Sequence, residues 1–414
     1  MDLFIRNIAQ LVRVAAAGER VKTGRAMRDL AVLTDAGLLC RGGKIAWVGP
    51  MSQWQGGLPA DLPELDGSDA VVFPGFVDAH THMMFAGSRA NEFALRAEGA
   101  TYQEIATQGG GILSTVRSVR AATKRELKRQ TTRYLTDSLR YGTTTVEIKS
   151  GYGLTVDDEI KMLEAIRELQ DEEISTVVST FIGAHALPPE YAGNPAGYVD
   201  LVCGTMIPYA GRRKLAAFCD VFCEQGYFGL EDAERVLREG KTWGMAPKIH
   251  AEELTPLGGA ELAARVGAVS ADHLEHVSDR GIAALADAGV VAVLLPGVSF
   301  FLGHRFAPAR RMIEAGVPVA VATDFNPGSC MSYSLPLAMT IACTQMGLTV
   351  EEAITGATLN AAAALGLSAS LGSIEVGKQA DLVVADTRDY RTLVYHFGVN
   401  HARHTIKNGT LLEL

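Results

Sequence analysis

FPGFVDAHTHMMF, residues 73–85, is a short apolar run that ends in two histidines one residue apart. Side chains alternate across a strand, so His80 and His82 share one face while Thr81 turns away, and two imidazoles on one face can meet one metal ion. An HxH pair alone leaves a structural role open. Its meaning comes from what repeats beyond it. The first run, Val71–Val77, is followed by Thr143–Ile148, Thr176–Ile182, Asp220–Cys223, Ala246–Ile249, Ser270–Leu274, Val290–Leu295 and Pro318–Ala322. Each is β-branched or apolar, and turn residues and a longer stretch of helical character come after it. Eight such units predict an α/β fold, a (β/α)8 barrel of the TIM type. A doubly wound sheet is the alternative, but neither GxGxxG nor GxxxxGK[ST] occurs, and Gly109–Gly111, with no Lys behind it, reads as a loop.

Outside these units the pattern changes. Stretches 30–50 and 371–414 read as short strands joined by Gly, Asp and Asn turns, which predicts one small β-sandwich-like domain assembled from both termini. The expected division is 1–65 plus 368–414 for that domain and 66–367 for the barrel. A length of 414 residues suits a large barrel with an appendage.

Hydrophobic residues at 48% and charged residues at 21% supply a core and carry no signature of disorder. Forty-seven acidic against 38 basic side chains give a net charge of −9, the wrong sign for holding nucleic acid or an anionic membrane, so neither is an expected partner. Residues 288–303, broken by Pro296 and Gly297, and 353–374, which contain Asn360, fall short of the ~20 predominantly apolar residues of a membrane span. Six cysteines without a CxxC pair read as reduced, buried thiols. The opening MDLFIRNIAQLVRV is interrupted by Arg6 and Arg13 and lacks the apolar stretch of a secretory signal, so a cytoplasmic location is expected.

In a barrel the C-terminal ends of all strands converge on one face. There the sequence brings KIHAEEL after strand five, with His250, Glu252 and Glu253, ADHLEH after strand six, with His273 and His276, and ATDFNPGS after strand eight, with Asp324. His80, His82, His250 and Asp324 together make three imidazoles and one carboxylate, a set that suits zinc or another divalent transition ion and leaves a position for water. Glu253 is the expected proton carrier beside that water, with Glu252 pointing elsewhere. His273 is assigned to orienting the centre or stabilising a developing oxyanion, with ligation as the alternative. Arg89, in the first barrel loop, offers the fork that binds a carboxylate through two hydrogen bonds, against the alternative of a loop salt bridge. Tyr152, between two glycines, reads as a turn or a site residue, and His185 as a wall residue bonded to a backbone carbonyl or a substrate contact. Lys149 reads as structural or substrate-facing, Cys219 and Cys223 as packing. His304, His396, His401 and His404 are expected at the surface or a domain interface.

These ligand positions resemble the amidohydrolase superfamily, and GSIEVGKQADLVVAD, 372–386, resembles the β-domain segment with which its members return. Its binuclear members bridge two ions with a carboxylated Lys around strand four. The corresponding VFCEQGYF, 221–228, has none, so the resemblance implies one divalent ion per chain, zinc or iron. EIKSGYGL (147–154), FIGAHALPPEY (181–191), HAEELTPLGGAELAARVGAVSADHLEH (250–276) and TDFNPGS (323–329) narrow it to the imidazolonepropionase family. That resemblance spans essentially the whole chain. It implies a hydrolase that opens the ring of 4-imidazolone-5-propanoate to N-formimidoyl-L-glutamate in histidine degradation with a metal-activated water. It also implies that Arg89, Tyr152, His185, Glu253 and Ser329 contact the substrate while Asn326 and Gly328 help hold the product. The expected partner is therefore a small molecule with a carboxylate, and a homodimer is the assembly kept open. A heterocycle deaminase of the same superfamily is the rival enzyme, and a scaffold that has lost its chemistry is the rival from another class.

Overall fold

The computed structural model describes residues 2–16, 18–100, 104 and 109–414. In chain order the strands are β1 (Leu3–Leu11), β2 (Leu33–Arg41), β3 (Lys44–Pro50), β4 (Glu64–Asp66) and β5 (Val71–Pro74). Then come β6 (Phe76–Asp78), β7 (Thr143–Lys149), β8 (Thr176–Ala184), β9 (Phe218–Cys223), β10 (Ala246–Ala251), β11 (Ser270–His273), β12 (Val291–Leu294) and β13 (Val319–Val321). Last are β14 (Leu382–Ala385), β15 (Ala402–Lys407) and β16 (Thr410–Leu411). Strands β6 to β13 pair in sequence order, all parallel, with helices in every connection.

The barrel closes just beyond the strand ends. Thr81 bridges Phe325 in parallel, the Asp324 amide donates to the His80 carbonyl at 3.0 Å, and the His82 amide donates to the Phe325 carbonyl at 3.0 Å. One step below, Thr323 donates through its amide at 3.0 Å and its hydroxyl at 2.6 Å to the Asp78 carboxylate. The seam that shuts the barrel is thus what sets His80 and His82 beside Asp324.

Strand alternation divides the apolar residues between two cores. Val178, Phe218, Val291, Val293, Ala320 and Ala322 fill the lower interior, while Cys219, Val221, Ile249, Ala251, Val319 and Val321 face the helices. Full burial of such a side chain stabilises by roughly 1.5–3 kcal/mol, so both registers are strongly specified.

The second sheet runs β16-β15-β14-β5-β1-β2-β3, with β4 beside β1, and so draws on both termini. Leu38 and Ile45 from one end of it share a buried cluster with Leu382 and Ile406 from the other, and Lys44 bridges Gln379, which folds the sheet over its own core. One expectation needs correction. The run Val71–Val77 is not one strand: β5 pairs with β1 and β14, whereas β6 pairs with β7. Gly75 makes the switch, its amide donating to the Asp381 carbonyl at 2.8 Å where a Cβ would collide with the Thr144 side chain. The short β4 pairs in parallel with β1 in the terminal sheet. Among the described residues no helix is long and apolar enough to cross a membrane. The six cysteines are unpaired thiols, five buried and Cys343 half-buried.

Candidate active site

His80 and His82 follow β6, His250 lies in β10, His273 ends β11 and Asp324 follows β13; all five are buried. His82 Nε2 stands 3.2 Å from His250 Nε2, and Asp324 Oδ1 lies 3.5 Å from His80 Nε2 and 3.8 Å from His82 Nε2. The nitrogens of His80, His250 and His273 also converge, as do those of His82, His185 and His250. His80 Nε2 and Asp324 Oδ1 have no hydrogen-bond partner among the described residues. Leaving a buried acceptor unsatisfied costs about 1–3 kcal/mol, and a cation shared by an imidazole nitrogen and a carboxylate oxygen removes that cost for both. Burial holds His80, His82 and His273 well below the usual imidazole range and brings His185 down to about 3, so these rings are neutral, the form a metal binds. Orphaned acceptors and neutral nitrogen donors together fit a divalent transition ion.

Backbone conformation aims two of these side chains. Alternation along β11 puts His273 on the face of Ala271, toward the helices, yet a φ of 78° turns it back into the barrel mouth. Glu252 has a φ of 58°, and this separates the neighbouring carboxylates. Glu252 accepts from the Gly258 amide at 3.1 Å, away from the cavity, while Glu253 Oε2 lies 3.7 Å from His273 Nε2. Such left-handed conformations cost a non-glycine residue of order 1–3 kcal/mol and are sustained here by the surrounding packing. Burial raises both glutamates to about 7. Their position, not their acidity, tells them apart.

Above the histidines opens a cavity of about 530 Å³ whose walls include Tyr152, His185, Phe222, Glu253, Arg89 and Ser329. His185 stacks on His82 with ring centres 4.6 Å apart, its Nδ1 3.0 Å from the Gly151 carbonyl oxygen, so it belongs to the wall and to the site at once. Burial, reinforced by Asp324, pushes the Tyr152 hydroxyl far above its ordinary range and keeps it a donor. Arg89 is already engaged: Nε and Nη2 donate to Glu92 Oε2 at 2.9 and 2.8 Å, and Glu92 Oε1 accepts from the Gly111 amide at 3.2 Å. Gly328 lies against the Arg89 guanidinium, and any Cβ there would collide with it. Asn326 turns inward on its own loop, donating to the Asp324 carbonyl at 2.8 Å and Ser329 Oγ at 2.7 Å and accepting from the Gly328 and Ser329 amides at 2.8 Å each.

Sequence reasoning missed Glu92 and Arg96, which share the cavity with Arg89, although an Arg and a Glu three residues apart at a helix start is the signal for such a pair. It missed the carboxylates Asp220 and Asp272 beneath the histidines. His304 is exposed, as expected, and also lies on the cavity rim. Lys149 faces carboxylates inside the barrel, not the cavity.

A family model described as the amidohydrolase family matches residues 244–412. Imidazolonepropionase of Brevibacillus brevis is 48% identical over 413 residues, 99% of this chain and 97% of its own, and that of Porphyromonas gingivalis is 46% identical over 414 residues, 100% and 97% respectively. Among solved structures, an adenosine deaminase from Xanthomonas campestris with bound zinc superposes with a TM-score of 0.70 at 22% identity, covering 99% of this chain and 92% of that one. E. coli guanine deaminase gives 0.74 at 16%, covering 100% and 99%. The two deaminases share the fold alone, whereas the near-full-length identity to the first two proteins is of another order: the chain belongs to the imidazolonepropionase family of the amidohydrolases.

Proposed function

We infer that the protein hydrolyses 4-imidazolone-5-propanoate to N-formimidoyl-L-glutamate, a step of histidine degradation. The observation that carries this reading is one cavity with a histidine cluster and Glu253 at its floor and two arginines at its mouth. His80, His82, His250 and Asp324 would hold one ion, zinc or iron, and when bound it supplies a Lewis acid that makes water a nucleophile at neutral pH and polarises a carbonyl.

The chain's own groups do the rest. Glu253, with an acidity near neutrality, takes a proton from the attacking water, whose oxygen adds to the ring carbonyl carbon. His273, 3.7 Å from Glu253, faces the carbonyl oxygen as it gains charge. The C–N bond then breaks, the ring nitrogen leaves with the proton that Glu253 carried, and the water oxygen stays in the new carboxylate. Arg89 binds the propionate, and Tyr152, His185 and Ser329 line the ring's position. Asn326 and Gly328 shape the loop that cradles Arg89 and through it the product.

Incubating the purified protein with the imidazolone and identifying the product tests this directly. Formation of N-formimidoyl-L-glutamate is expected; release of ammonia with the ring intact would favour a deaminase.

A further inference from the structure

Directly beneath the histidines lies a wholly buried layer of ionisable side chains: Glu147 and Lys149 on β7, Asp220 on β9, Lys248 on β10 and Asp272 on β11. Three acidic side chains face two lysines. Burying such charges is often less stabilising than filling the same volume with apolar side chains, which is how Val178, Phe218 and Val291 build the level below. Packing alone therefore does not account for the layer. Two contacts do. His80 Nδ1 bonds to Asp272 Oδ2 at 2.6 Å, and Asp220 Oδ2 approaches His250 Nδ1 to 3.0 Å, an ion-pair contact rather than an aligned hydrogen bond. Ser270 fixes the other oxygen of Asp272 at 2.6 Å. Lys149 Nζ stands between the two aspartates, 2.8 Å from Asp220 and 3.7 Å from Asp272, and is anchored by Glu147 at 2.9 Å.

We propose that Asp220 and Asp272, tied together by Lys149, are positioning residues for the metal. Asp272 accepts a hydrogen bond from His80 Nδ1–H and Asp220 faces His250 Nδ1, which leaves each Nε2 lone pair directed upward, and Lys149 holds the aspartates so that His80 and His250 are aimed as a pair. His82 supplies the internal contrast: its contact with a carboxylate is through Nε2, 3.8 Å from Asp324 Oδ1, rather than through Nδ1, and its ring is steadied by stacking on His185. The proposal rests on the metal reading given above.

The test measures zinc affinity of the metal-stripped protein by chelator competition, the visible spectrum of its cobalt form, and the melting of the stripped protein. Asp272→Asn and Asp220→Asn are expected to weaken zinc binding by about 10–100-fold and to alter the cobalt spectrum, with melting little changed. Glu147→Gln sits in the same layer but touches no ligand, and its amide oxygen can still accept from Lys149, so it should bind zinc as the parent protein does. Lys149→Met combined with Glu147→Gln removes one charge of each sign, keeps the layer's balance, and should weaken binding while the chain stays folded. Parent-like affinity in both aspartate variants overturns the proposal, as does an equal loss in Glu147→Gln. Failure of the parent protein itself to bind a divalent ion sinks the metal reading instead, so the two failures are distinct.

Discussion

At the floor of the cavity, His80, His82, His250 and Asp324 are held by strand register and by the hydrogen bonds that close the barrel, with apolar packing around every strand. At its mouth, Arg89, Glu92 and Arg96 belong to the short helix Ala90–Ala97 and its N-terminal cap, and none of the helix residues is buried. A floor residue cannot move without disturbing the barrel, whereas a mouth residue is fixed by one or two polar contacts that water or a ligand can replace. On the proposed reading, chemistry is thus kept on the rigid part and recognition on the adjustable part. Substitutions should divide accordingly, with losses in turnover from the floor and shifts in affinity from the mouth.

The sharpest break comes from the ligand cluster. His80→Ala or Asp324→Ala should reduce turnover to background while circular dichroism stays that of the folded barrel, because the hydrogen bond that joins these two residues across the closing seam is between their backbones and survives the substitution. Full activity in either variant removes that residue from the proposed set.

Glu253→Gln comes next, with a loss of ~10²-fold or more in turnover and an unchanged KM, the scale of losing a general acid–base group. Glu252→Gln should cost far less, since its carboxylate accepts from Gly258 outside the cavity. The pH profile sharpens the assignment. Glu253 accepts a proton only when ionised, so with its acidity raised to about 7 the rate rises as pH increases through neutrality. A bound cation favours the ionised form and moves this limb toward lower pH. Either way, the limb should vanish from the residual activity of Glu253→Gln; a limb that persists assigns it to another group.

The floor was also the part that sequence could disclose. Alternation and the placement of strand ends bring His80, His82, His250 and Asp324 to one face without any knowledge of loops. What stayed hidden depends on single backbone torsions or on distant partners. No pattern announces the φ of 78° that turns His273 inward against its strand parity, nor that Gly75 divides one apolar run between two sheets. Asp272 meets His80 across 192 positions of sequence. At the mouth, Arg89 was legible as a fork, but its occupation by Glu92 depends on how the helix enters the loop.

Arg89→Met should weaken binding of the propionate substrate by on the order of 2–5 kcal/mol, the cost of removing one partner of a desolvated carboxylate pair, with the zinc affinity of the floor unchanged. Arg89→Lys should recover only part of this, because a lysine keeps the charge and loses the planar fork. Assayed on the natural substrate and on an imidazolone lacking the carboxylate, Arg89→Met should erase most of the preference for the former and Arg89→Lys less of it. An unchanged preference would move the carboxylate site elsewhere.

The smallest effect, and the most informative about the mouth, is expected from Glu92→Gln. Glu92 Oε2 occupies the same Nε and Nη2 edge of Arg89 that a substrate carboxylate needs, so in the free protein it stands where the propionate must bind. The pair is only partly sheltered, at 16% and 14% side-chain exposure, and an ion pair of that kind contributes about 0.2–1 kcal/mol, small enough for a ligand to displace. Arg96, on the same wall and stacked over Phe301 at 5.1 Å, adds positive charge that remains when Glu92 lets go. A glutamine has one carbonyl oxygen, which can accept from Arg89, and turns an NH2 donor toward the Gly111 amide, so it gives up both the charge and that second acceptor. KM for the propionate substrate should then fall by up to about fivefold, the same 0.2–1 kcal/mol expressed as affinity, with kcat and the carboxylate-free analogue unaffected. A rise in KM resembling that of Arg89→Met would mean that Glu92 orients the arginine rather than competing for it, and the mouth would then be as fixed as the floor.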